Sequence, residues 1–205
     1  MQEAASSSHL VRWPTSLCDV LAAHMQAVEH PVQPTYPPFG GDATGKRGSC
    51  FVVLRDIFDR LHLMHQFSSQ HEKLMTEMVF TFIIELMEDS CSKNFLKPRE
   101  REKFKAASAK KHPTHAAAKR KRKDDDVAVH SVTDVKEHFS SHLPSDYLLR
   151  FLAALPLLVD TFMNFCGGGV ETSLLGALWG RVELVLKDLE DGSDVFYSPS
   201  QDYQP

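Results

Sequence analysis

Between Phe95 and Val127 the hydrophobic pattern of this chain stops while cations accumulate, and no other stretch restricts the possible folds so strongly. From Lys93 to Lys123 there are thirteen Lys and Arg against two Glu, a net +11, so the rest of the chain carries −15. The overall charge of −4 and pI of 6.2 therefore hide a basic ribbon in an acidic body. Dense like charge with few apolar residues resists burial and stays extended. The expected organisation is a flexible N-terminus (1–15), an N-terminal helical block (16–92), a basic disordered linker (93–128), a C-terminal helical block (131–191) and an acidic disordered tail (192–205). Within the linker, only Arg99 to Lys110 has the composition for a fluctuating helix.

The flanking blocks read as helices. From Ser16 to His30, Leu17, Val20, Leu21, His24 or Met25, and Val28 recur at three- and four-residue steps, with Ser16 as cap and Pro31 as stop. Four prolines and two glycines between Pro31 and Gly41 specify a loop. A second helix runs from about Ser49 to Gln66, with Val53, Ile57, Leu61 and Met64 on one face and Arg55–Asp59 and Asp56–Arg60 pairs on the other. Ser69 to Asp89 predicts a third, apolar almost all round between Met78 and Met87, which marks it as central. The β-formers of Val79 to Ile84 make a strand the competing reading; length favours helix. A short helix over Thr133–Leu143 ends at Pro144, after which Ser145 caps an apolar helix containing Pro156 and ended by Gly167–Gly169. The last helix spans Glu171 to Glu190. The class is all-α: two helical blocks, as an irregular bundle or degenerate α-solenoid.

Several chemistries can be argued down. Gly40-Gly-Asp-Ala-Thr-Gly-Lys46 begins like a phosphate-cradling loop, but Arg47 replaces the hydroxyl that would bind magnesium and no buried strand precedes it. His62/His65, His112/His115 and His138/His142 each offer two ligands, none four, and Phe139 stands where a zinc protease needs Glu. No Gly-flanked nucleophilic serine occurs. Cys166 beside three glycines reads as a packing group, while Glu85 and Asp160 lie in apolar contexts where burial would raise a carboxyl pKa. No catalytic residue, metal or cofactor is expected. Cys18, Cys50, Cys91 and Cys166 fit neither a disulfide framework nor a zinc module, which suits a reducing compartment. The N-terminus lacks the anatomy of a secretory signal, and no clean run of about 18 apolar residues suggests a membrane span.

The strongest positive signal is Lys119-Arg120-Lys121-Arg122-Lys123, with Lys110-Lys111 as a minor cluster, a pattern resembling a nuclear localisation signal. The same cations would bind phosphates in a salt-sensitive, sequence-indifferent way. Ser131, with Asp134 three residues on, and Ser198, before Pro199, are phosphosite candidates. The sequence thus predicts a non-catalytic nuclear scaffold or adaptor, nucleoplasmic or nucleolar. It would dock partner proteins through apolar helix faces, engage an import receptor and avoid membranes. Its abrupt ends suit a fragment or isoform of a larger helical-repeat protein. The alternative is a DNA- or RNA-binding factor of chromatin, repair or ribosome assembly using residues 97–123.

Overall fold

The computed structural model describes residues 11–30, 48–63, 69–111, 139–165, 172–193 and 197. Among them are six α-helices, α1 (Thr15–Glu29), α2 (Cys50–Leu63), α3 (Gln70–Lys93), α4 (Pro98–Lys111), α5 (Ser145–Phe165) and α6 (Thr172–Asp191), with one 3₁₀ turn at Phe139–Ser141. No strand occurs among these residues; Ser49 and Pro144 form an isolated antiparallel bridge. The helix starts follow local chemistry. The Ser69 hydroxyl accepts the Glu72 amide at 3.1 Å, a cap whose loss costs about 1 kcal/mol. At α2 the Ser49 hydroxyl accepts from the Val52 amide at 3.4 Å, while Gly48 turns the chain into the helix with φ of 72°. Pro14, not Ser16, precedes α1, and the Ser16 hydroxyl instead donates to Glu190 across to α6.

The two expected blocks share one core. Leu17 and Val20 of α1, Val53, Leu54 and Ile57 of α2, Ile83 and Met87 of α3, Leu148, Leu152 and Leu155 of α5, and Val182, Leu186 and Leu189 of α6 belong to a single buried cluster. α1 and α2 pack on α5 and α6, and α3 on α6. Each hairpin alone would leave an apolar stripe in water; packing the stripes together buries both, at roughly 25 cal/mol per Å² of apolar surface removed. The joint is covalently remote but closely bonded. The Cys50 amide donates to Leu143 O at 2.9 Å and its thiol to Pro144 O at 3.1 Å, seating the start of α2 against that of α5.

Three expectations for the chain's less apolar parts are corrected. Residues 93–111 are not a tether: α3 runs to Lys93, Leu96 is buried, and α4 is a formed helix that buries Glu100 and Phe104. In the N-terminal segment, Val11 and Trp13 pack against the core. In the tail, Tyr197 is buried, its amide bonded to Ser193 O at 2.8 Å. In each case one or two large apolar side chains find a core site that averaging over a polar stretch conceals. Of the expected helix over 133–143, residues 139–141 form the 3₁₀ turn, held by Glu88 of α3, whose carboxylate accepts the Phe139 and Ser140 amides at 2.7 and 2.8 Å; 133–138 lie outside the described residues.

A candidate docking groove

α3 is not enclosed all round. Leu74, Met78, Thr81 and Glu85, spaced at helical period, are all exposed, Met78 to 60%. Beside this stripe, α3, the C-terminal half of α5 and the start of α6 enclose an apolar groove of about 260 Å³. Its floor is the buried Val79, Val159 and Leu178; its walls are Met75, Met78, Phe82, Phe162, Met163, Leu174 and Leu175. The Phe82 and Phe162 rings meet edge to face, centroids 5.8 Å apart, and so fix the spacing of α3 and α5. Arg181 fixes α6 against α3, donating to the Thr76 hydroxyl at 2.8 Å and the Glu72 carboxylate at 3.1 Å. The last turns of α5 extend into solvent, with Phe165 91% exposed.

The groove can do little chemistry. Its walls carry no titratable group, and its volume falls just below the roughly 300–1,000 Å³ usual for small-molecule sites. What it offers is deformable apolar surface: three unbranched thioethers that re-pack around an entering side chain and two partly exposed rings. Glu85 and Asp160, which lie in apolar stretches of the sequence, are exposed beside it. A second cleft, between residues 12–15 and α6, mixes Arg12 and Lys187 with Glu183 and Glu190 and so favours no one charge.

On the other side of α5 lies a buried polar clamp. The Glu100 carboxylate accepts from the Tyr147 hydroxyl at 2.6 Å, from Arg150 at 2.8 Å and from the Lys97 amide at 2.6 Å. Arg150 also donates to Phe95 O at 2.5 Å, its guanidinium 4.7 Å from the Phe95 ring centroid. Phe104 stacks on Phe139 at 4.7 Å. Lys97-Pro98-Arg99-Glu100 is thus an N-terminal box, Pro at the first helical position and Glu reaching back to the residue before it. That local signal was available in the sequence. With Glu100 turned inward, Arg99 and Lys105 face solvent, and burial beside the like charge of Arg99 lowers the Lys103 pKa.

Among the described residues, the others singled out from sequence do not assemble into a site. Lys110 and Lys111 close the backbone of α4; Lys119, Arg120, Lys121, Arg122, Lys123, Ser131, Ser198, Cys166 and the loop Gly40–Lys46 lie outside the described residues. His62 is exposed and His142 packs its ring 6.0 Å from that of Phe104. Among the described residues, no three His, Cys, Asp or Glu converge on a metal-sized space. Burial pushes the Cys50 and Cys91 thiols upward in pKa, away from the nucleophilic thiolate. By length and composition α5 is apolar enough to cross a bilayer; here Tyr147, Leu148, Phe151, Leu152, Leu155 and Val159 on it are buried in the protein. Comparison with known protein families, curated proteins and solved structures gives no match to this chain.

Proposed function

We propose that this chain is a non-catalytic helical adaptor that docks a partner protein in the α3–α5–α6 groove and works in the nucleus. The observation carrying the first part is the groove itself: a contiguous apolar depression with Met78, Phe162 and Leu174 open to water. Surfaces of this kind suit the apolar face of a helix inserted as spaced anchors. The nuclear part rests on Lys119 to Lys123 with Lys110 and Lys111. The test is affinity purification from nuclear extract with the intact chain and with Met78→Glu and Leu174→Glu, both exposed enough to leave the fold intact by circular dichroism. A defined set of proteins retained by the intact chain and lost from both variants is expected; an unchanged set refutes the reading. Replacing Lys119–Lys123 with Ala should move a fluorescent fusion into the cytosol, and retention in the nucleus refutes that half.

A second reading, nucleic-acid binding through 97–123, has one observation in its favour. α4 is a docked helix whose inward face carries Glu100 and whose outward face carries Arg99 and Lys105, a preformed start for a row of phosphate contacts.

A further inference from the structure

The charges around the groove specify the partner more closely than its apolar lining does. Glu85 follows Phe82 by three residues, and Asp160 precedes Met163 by three. Each therefore stands about 60° round its helix from a groove wall, and both are exposed. Among the described residues no cation pairs with either. Arg181, the nearest on α6, is engaged with Glu72 and Thr76. Lys73 and Glu77 lie about 160° round α3 from Met75, one on either side, so neither borders the opening. Between Ser173 and Gly180 the α6 wall carries no charge at all. A greasy slot bordered by carboxylates on two walls attracts a cationic rim and repels an anionic one, which argues against a membrane rich in acidic lipid.

Resting on the docking reading above, we infer that the occupant of the groove is a basic amphipathic helix, its apolar stripe in the groove and its Lys or Arg over Glu85 and Asp160. The cations add steering and selectivity, and the stripe supplies the affinity. The test uses the full chain and two synthetic helices with the same apolar stripe, one with Lys and one with Glu on the polar face, read by fluorescence anisotropy at low and high salt. The basic helix should bind about tenfold tighter than the acidic one at low salt, as two exposed charge contacts reversed in sign allow. Glu85→Gln with Asp160→Asn should abolish that difference, and Met78→Glu or Leu174→Glu should abolish binding of both. If neither helix binds, the docking reading falls and this inference with it. Equal binding of both, still lost in Met78→Glu, leaves docking standing and overturns the charge inference; tighter binding of the acidic helix overturns it too. Binding to phosphatidylserine vesicles that Met78→Glu abolishes overturns it in favour of a membrane surface.

Discussion

Acid should destabilise this fold through His24, and the size of the effect follows from where that ring sits. His24 occupies the apolar stripe of α1 between Val20 and Val28, 1% exposed, with its ring edge to face against Tyr147 at 4.8 Å. Burial, and secondarily the Arg150 guanidinium, lower its pKa from 6.5 to about 3. Arg150 is itself bound to Glu100. The folded state therefore holds His24 neutral, while the unfolded chain takes up a proton near pH 6.5. Between the two values the unfolded state binds more protons, so stability is full above about pH 6.5 and falls as the pH drops toward about 3. From about pH 7.5 to about pH 4.5 the lost stability is about 2.7 kcal/mol, or roughly a hundredfold in the unfolding constant. Since the folded-state value lies well below the lower pH, the figure is set almost wholly by the unfolded histidine.

The assay is urea unfolding followed by circular dichroism at both pH values, for the natural chain and for His24→Phe. Phenylalanine preserves a ring against Tyr147 and removes the titration. Its baseline cost drops out because the readout is the change with pH, and the carboxylates paired in both proteins cancel in the same way. The natural chain should lose about 2.7 kcal/mol more than the variant over this interval. Parallel losses in the two proteins would refute the reasoning.

Two further outcomes follow from the clamp and the turn. Arg150→Met leaves Glu100 buried without its cation and should cost about 3–5 kcal/mol, seen as a fall in Tm of roughly 10 °C, while adding Glu100→Leu should restore much of it; an unchanged Tm in the single variant would contradict the buried ion pair. Gly48→Ala places a Cβ on a residue with φ of 72° and 3.3 Å from Val52 Cγ1, which should cost about 1–2 kcal/mol in urea unfolding, whereas a neutral result would mean the turn relaxes freely.

Five of the six helices lie close to their sequence-derived positions because α1, α2, α3, α5 and α6 carry apolar stripes of the right period. The sequence allowed a fluctuating helix over Arg99 to Lys110, where α4 lies, but its docking on the body was hidden for a physical reason. Its local start signal is present, but Glu100 is worth burying only because Arg150 and Tyr147, some fifty residues on, meet it. A charge count over 93–123 treats that carboxylate as one more solvated group. The groove was half legible. The surplus of apolar residues between 69 and 89 is plain in the sequence, yet which side of α3 stays open depends on how α5 and α6 pack against it. Similarly, His24 or Met25 could have faced inward on periodicity alone, and the Tyr147 ring decides it.

The docking of α4 also separates the two uses that the basic tract could serve. The cations nearest its start are partly answered by the body, Lys93 by Asp89 at 2.7 Å and Lys97 by Glu29 at 3.2 Å, though such exposed pairs contribute little. Among the described side chains, outward positive charge on α4 is carried by Arg99 and Lys105. An import receptor reads a short run of side chains in a groove, so Arg99→Ala with Lys105→Ala should leave a fluorescent fusion in the nucleus. A nucleic acid instead sums every phosphate neutralised, and log K falls with log salt at about 0.9 per contact on duplex DNA. If the nucleic-acid reading holds, the same double variant should lower that slope by about 1–2 in a titration with duplex DNA. A slope unchanged by Arg99 and Lys105 but abolished by Lys119–Lys123→Ala would exclude the α4 face from the contact and leave the run alone as the polyanion-binding element.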